Sequence, residues 1–295
     1  MDYSEYFRVA RIESWLGWIF SFGFGSIFLG SPALWRVISI FFAFSFATAS
    51  IFILNQYFDR KGDHKNKNKS NLPVASGRIA PQRALALSLI LIIFCLLTVF
   101  LVDANLILLF LVYFVLWTAY SGPIIRLKTV PVMDFIISGI GAGLLPFLIG
   151  AGTSYQQNIS ISVILISAAP LMSLHSSGHI LQALGDYEAD LKAGVQTFVV
   201  RYGRKSGVIV MGFLFLITGL LTIIYAAFGP LPSSYFPLGF LLLPFCIPIA
   251  KSYIPTIKNP TTENIAGLQK VTRKCGIIML VLAGAYVLVI KILGL

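Results

Sequence analysis

The sequence predicts an all-α, polytopic bundle of membrane-spanning helices, and three observations carry that reading. Of the 295 residues, 57% are hydrophobic and only 11% are charged, where a soluble protein carries about a quarter charged. Mean hydropathy is +0.87, too high for an ordinary cytosolic enzyme. The apolar residues also fall in long runs, roughly the twenty residues of α-helix that cross a ~30 Å hydrocarbon core. The same runs exclude a transmembrane β-barrel, whose strands are about ten residues long and alternate in polarity.

Nine runs pass the length test, near residues 15–35, 37–57, 83–102, 104–121, 132–152, 160–181, 207–228, 235–253 and 274–294. Their connections alternate in character. The segments after the second, fourth, sixth and eighth runs are long and basic, beginning RKGDHKNKNKSN, SGPIIRLK, GDYEADLK and IPTIKNP; the others, such as AGTSYQQNIS and FGPLPSS, are nearly chargeless. Basic residues resist translocation and collect on the cytoplasmic side. Nine crossings with a cytoplasmic amino terminus put 20 of the 22 Lys and Arg on that side, leaving Arg36 and Lys291 opposite. Merging or splitting one crossing would scramble this asymmetry. The carboxyl terminus is therefore expected outside. The net charge of +11, which in a soluble protein would suggest nucleic acid, is here a topology signal, and no nucleic-acid partner is expected. The opening MDYSEYFRVARIES carries acids where a signal peptide has only bases, so no cleavable leader is expected. Cys95, Cys246 and Cys275 lie in or beside apolar runs without metal-like spacing and read as small packing residues.

Acids inside or beside membrane helices are costly and point to function. Two clusters close the second and sixth runs: Asn55-x3-Asp59-x3-Asp63 and Gln182-x3-Asp186-x3-Asp190, offset by 127 residues. Runs two and six share an orientation, so the pattern implies an approximate parallel repeat of four helices, plus a ninth. Spacing of four lays each cluster along one helical stripe, rising ~6 Å per step. Two such stripes facing each other would gather four carboxylates and two amide oxygens. That set suits Mg²⁺, which takes one or two carboxylates per ion and completes its shell with water and substrate phosphate. A phosphate or diphosphate substrate is implied. Glu188 lies off the stripe and reads as a solvated loop residue.

At these residues the sequence resembles the UbiA superfamily of intramembrane prenyltransferases, which carries N-x3-D-x3-D after its second helix and D-x3-D after its sixth. Asn55, Asp59 and Asp63 match the first motif, Asp186 and Asp190 the second. Pro73, Ser76 and Gly77 resemble a further family stretch, and Tyr120, Ser121 and Pro123 its fourth-loop motif. The sequence departs from the pattern at Gln56, where many members have a second Asp, and at Leu72, where an Arg often precedes the Pro.

The resemblance implies that residues 1–295 form one transmembrane prenyltransferase domain. Its substrates would be a prenyl diphosphate and a lipophilic or aromatic acceptor, a quinone-precursor ring being favoured over a glycerol-phosphate lipid. It also implies Mg²⁺ on Asp59, Asp63, Asp186 and Asp190, with Asn55 and Gln182 holding the carboxylates or an ion in place. Arg126 and Lys128 would be the first bases toward the diphosphate, with Lys192 and Arg78 behind, and Tyr120 and Ser121 would line the substrate site. Two other classes compete. His175 and His179 share a helical face like a zinc pair, but no H-E-x-x-H is present. An ion-coupled secondary transporter is the stronger alternative, although a carrier's site usually lies at mid-membrane and these acids sit at one edge, among basic segments and membrane lipid.

Overall fold

The structure, a computed structural model, describes residues 4–28, 32–66, 69–154, 161–229, 234 and 236–293. Lys67 and Asn68 of the basic run, residues 155–160 of AGTSYQQNIS and residues 230–233 of FGPLPSS lie outside that set.

The described residues form nine helical passages. They are α1 (Leu16–Phe28), α2 (Leu34–Lys65), α3 (Pro81–Asp103), α4 (Ile107–Ser121), α5, α6 (Ile161–Ala193), α7 (Phe198–Phe228), α8 (Phe236–Lys258) and α9 (Thr262–Leu293). The fifth, α5, joins two α-helical stretches, Met133–Gly139 and Leu145–Ala151, through π-helical Ile140–Leu144. Seven stretches are long and apolar enough to span a membrane, α3 and α4 counting there as one and α1 being a shorter apolar helix. Between α3 and α4 the chain takes a single 3-10 turn, Ala104–Leu106, whose first free N–H, that of Asn105, is bound by the Asp103 carboxylate at 3.0 Å. Large apolar side chains stand exposed along these helices, among them Phe100, Leu101, Phe213, Leu220, Val281 and Leu288. Lipid accounts for a surface that water would penalise.

Helix ends are where the structure departs most from the sequence expectation. The second passage runs to Lys65 and the sixth to Ala193, each two to three turns past the predicted ends. Thirty-two residues rise about 48 Å, well beyond a ~30 Å hydrocarbon core, so the charged turns continue as helix into the polar zone. Both acid motifs therefore lie on helix, as their spacing of four leads one to expect. The end of α6 is set by Gly194, whose φ of 70° stops the helix in the left-handed conformation. Thr197 then accepts from Val200 N–H at 3.3 Å and opens α7 nine residues earlier than the hydropathy pattern suggests. Gly203 kinks that helix with φ 85°, ψ 160°.

The described residues divide into two compact units. One lies within Met1–Lys128 and Leu145–Gln157, the other within Thr129–Leu144 and Asn158–Leu295. The first unit is packed by aromatics: Phe22 stacks on Phe44 with centroids 5.3 Å apart, Trp18 on Trp117 at 4.8 Å, and the fully buried Tyr113 meets the Thr48 hydroxyl at 3.2 Å. Here α1 crosses the second half of α5 at two glycines. A Cβ at Gly25 would fall inside the Phe147 carbonyl, and one at Gly150 inside the Phe22 carbonyl, so the two backbones approach as only glycine permits. Gly150→Ala is expected to lower stability by about 1–3 kcal/mol, read as a fall in thermal unfolding temperature of detergent-solubilised protein.

The second unit is built on the long α6–α7 pair, as the first is on α2–α3, with Ile180, Leu184, Val199, Val208, Ile265 and Leu268 at its centre. One acid inside it was not singled out in the sequence. Asp134, fully buried in the first turn of α5, accepts from the Phe198 backbone N–H at 2.8 Å and so caps α7 from outside its own chain segment. Asp134→Ala would strand that buried N–H and cost about 1–3 kcal/mol. Asp134→Asn keeps an acceptor oxygen and should recover most of the loss in the same unfolding measurement.

Candidate active site

In the first unit, the last turns of α2 carry Asn55, Asp59 and Asp63 on one stripe, and Asp59 is its centre. The Asn55 amide donates to Asp59 Oδ2 at 2.9 Å and to Ser121 Oγ at 2.9 Å. Lys128 Nζ donates to Asp59 Oδ2, and Arg126 reaches Oδ1 at 3.3 Å. The side chains of Asp59 and Lys128 are only 13% and 15% exposed, so their attraction is weakly screened. Burial lowers the Lys128 amine from its ordinary pKa, while the Asp59 charge opposes the fall. Arg126 sits at φ 50°, a conformation non-glycine residues rarely adopt. The loop after α4 thus holds two cations against one carboxylate at a local backbone cost. Tyr120 is buried beside this cluster, its ring edge-on to Trp117 at 5.2 Å.

Arg78 is placed differently. Its guanidinium lies 2.9 Å from Glu5 and also donates to the Asn71 carbonyl, which ties the loop after α2 to the amino-terminal segment. The Arg78 hydrogen bond holds the Glu5 carboxyl below the ordinary carboxylate range, so this tie is strongest above that range and is lost as pH falls through the lowered value. Gln56, where many resembling sequences carry an Asp, is fully buried and donates to the Val9 carbonyl at 2.7 Å. His64 contacts the Ala75 carbonyl at 3.0 Å. Together these contacts pin the amino-terminal segment and the 70–80 loop to the end of α2.

In the second unit, α6 carries Gln182, Asp186 and Asp190 one turn apart, the two acids part-buried and Gln182 exposed. Lys192 is exposed at the helix end. Glu188 is helical, not a loop residue, and pairs with Arg204 at 2.8 Å. Arg204 also lies 4.5 Å from the centroid of the Tyr187 ring and 3.3 Å from Thr262 Oγ1. One guanidinium from the kinked start of α7 thereby steadies Tyr187 and Glu188, two of the three residues between Asp186 and Asp190. Sequence reading missed this role because Arg204 stands among many loop bases, and only the Gly203 kink distinguishes it. Among the described residues, no three His, Cys, Asp or Glu side chains converge as a metal cage.

A family model, the UbiA prenyltransferase family, matches residues 16–266. The chain belongs to the UbiA prenyltransferase family. This UbiA-family protein is a multi-pass membrane protein and a prenyltransferase, which sets aside the ion-coupled carrier. Solved relatives share its fold. A UbiA homolog from Archaeoglobus fulgidus bound to GPP and Mg²⁺ superposes with a TM-score of 0.77 at 22% identity, over 97% of this chain and 99% of that one. The apo UbiA homolog from Aeropyrum pernix gives 0.74 at 15% identity, over 94% and 97%. By sequence, the chain is 28% identical over 257 residues to the digeranylgeranylglyceryl phosphate synthase of Methanococcus vannielii, covering 82% of each chain. The protein of that name from Methanobrevibacter smithii is 26% identical over 202 residues, covering 66% of this chain and 67% of its own.

Proposed function

We propose that the chain transfers a prenyl group from an allylic prenyl diphosphate, with Mg²⁺, to a glycerol-phosphate-type lipid acceptor. The observation that carries the reading is the Asp59 cluster: one carboxylate stripe with two cations held against it, at the end of a membrane helix. Residues 1–295 are read as one catalytic domain that carries both acid motifs. The charge asymmetry supports an amino terminus and acid motifs on the cytoplasmic side, with the carboxyl terminus outside.

The donor chemistry fits Mg²⁺. The ligands would be Asp59, Asp63, Asp186 and Asp190, all carboxylates, with Asn55 supplying an amide oxygen. An Mg²⁺ ion takes one or two carboxylates and leaves the rest of its shell to water and phosphate. Bound there, the ion would neutralise charge gathering on the departing diphosphate. The protein's own groups then account for the rest. Asn55 and Ser121 orient Asp59. Arg126 and Lys128 offer N–H donors to diphosphate oxygens as they exchange partners from the carboxylate. Gln182 steadies the second motif, Lys192 adds charge at the end of α6, and Arg78 serves only if it leaves Glu5. Breaking the allylic C–O bond leaves positive charge on the prenyl chain, which needs a dry setting. Buried Tyr113 and Tyr120, each edge-on to the half-buried Trp117, would form the aromatic side of that setting.

The names of the two archaeal relatives support the lipid acceptor over the aromatic ring that sequence alone favoured. The test incubates purified protein with prenyl diphosphates of several lengths. Acceptors are a prenylated glycerol phosphate and a hydroxybenzoate, with and without Mg²⁺, and products are identified by mass spectrometry. A prenyl ether of the glycerol phosphate, formed only with Mg²⁺, is expected. Prenylated ring as the sole product would replace the acceptor; neither product would overturn the reading.

A further inference from the structure

We propose that the protein holds one anionic phospholipid at a site between α2 and α3, separate from the Asp59 cluster. A cavity of about 460 Å³ opens there, lined by Tyr57, Arg60, Gln82, Leu85, Ala86 and Leu89. A helix turns about 100° per residue, so Tyr57 lies about 200° around α2 from Asp59. The cavity and the acid stripe therefore occupy different faces of one helix.

The lining is divided by chemistry. At the end nearest the basic loop stand a guanidinium, a phenol and a side-chain amide. The Arg60 guanidinium lies 4.8 Å from the centroid of the Tyr57 ring and donates to the Tyr57 carbonyl at 2.5 Å. That leaves most of its five N–H groups uncommitted, and among the described residues it has no carboxylate partner. The Gln82 amide likewise has no hydrogen-bond partner among them. One turn further along α3, Leu85, Ala86 and Leu89 form a wholly apolar wall, with Leu89 50% exposed. A cation steadied on an aromatic ring, placed at the membrane–water boundary above an apolar wall, is complementary to a molecule with an anionic head and a hydrocarbon tail. A phosphate ester of a diacyl or dialkyl glycerol has that form. Other bases of this unit are turned elsewhere: Lys128 and Arg126 to Asp59, Arg8 and Arg78 to Glu5, Arg36 to Asp103, Arg11 to Glu13.

The test uses native mass spectrometry of full-length protein reconstituted with equal amounts of phosphatidylglycerol, phosphatidylcholine and uncharged diacylglycerol. Wild type is expected to retain one phosphatidylglycerol about fivefold over phosphatidylcholine, the selectivity of about one cationic contact at a membrane surface. Arg60→Ala removes the charge and Ala86→Trp fills the cavity. Each should abolish that preference while binding of prenyl diphosphate, followed separately, stays at the wild-type level. Retention of phosphatidylglycerol by both variants would overturn the site, as would equal retention of phosphatidylcholine by wild type. Displacement by soluble glycerol 3-phosphate at matched concentration would show a site for free phosphate and overturn the lipid.

Discussion

Asp59→Ala is expected to lower kcat by at least about 10²–10³-fold, the scale seen when one preorganised group that stabilises transition-state charge is removed. The structural reason is that Asp59 organises the whole cluster. Asn55, Lys128 and Arg126 all bond to its two oxygens, and Ser121 is joined through Asn55. Without the carboxylate, Lys128 and the exposed Arg126 repel each other and the loop after α4 loses the contact that offsets its strained Arg126. Asp59→Asn separates the two contributions. It keeps size and an acceptor oxygen, so the fold should persist, but it removes the charge that a divalent ion and Lys128 both require. Activity is read as diphosphate release at saturating Mg²⁺, and folding as helical circular dichroism against temperature. Asp186→Ala is the companion measurement on the second motif. Retained turnover in both Asp59→Ala and Asp186→Ala would dismiss the metal assignment.

How much of this was legible before the structure can be argued residue by residue. The nine passages were readable because hydrocarbon thickness imposes a length and translocation imposes a charge asymmetry, and both act directly on composition. The pairing of Asn55 with Asp59 was implicit in spacing of four, since on a helix those side chains stack. The approach of Arg126 and Lys128 to the site was expected only from the family resemblance, not from spacing. It depends on a left-handed residue in the loop after α4, and sequence periodicity carries no signal for it. Helix ends were misplaced for a related reason. Hydropathy reports where lipid stops, whereas the α-helix of α2 continues to Lys65 because nothing in DRKGDHK breaks it. Arg78 looked like Lys128 in the sequence, a base in a motif-bearing loop. Glu5, more than seventy residues away, decides its orientation, and a long-range partner leaves no local mark. Gln56 stands at a departure from the family pattern, and the structure gives that departure a use: its amide anchors the amino-terminal segment through Val9.

The second large effect concerns the end of the helices opposite the acid motifs. Arg36, one of two bases that charge counting left on that side, is 2% exposed and ion-paired with Asp103, and donates to the Gly152 carbonyl at 3.0 Å. The start of α2, the end of α3 and the end of α5 are therefore joined by one guanidinium. A base that the charge count leaves on the minority side is thus neutralised internally. Asp103→Ala is expected to destabilise the protein by about 3–5 kcal/mol, the cost of leaving a buried charge uncompensated. It also frees the Asn105 N–H at the α3–α4 turn, so Asp103→Asn, which keeps that acceptor, should fall between the alanine variant and wild type. The most informative protein is the double variant, Arg36→Met with Asp103→Leu. Replacing both charges by apolar groups of similar volume is often neutral or stabilising, whereas each single change should be severe. Unfolding of wild type, both single variants and the double variant in one detergent gives the coupling energy directly. If the double variant is as unstable as Asp103→Ala, the pair specifies how α2, α3 and α5 dock. If it recovers, the pair is tolerated for charge balance and apolar packing alone holds that end of the unit together.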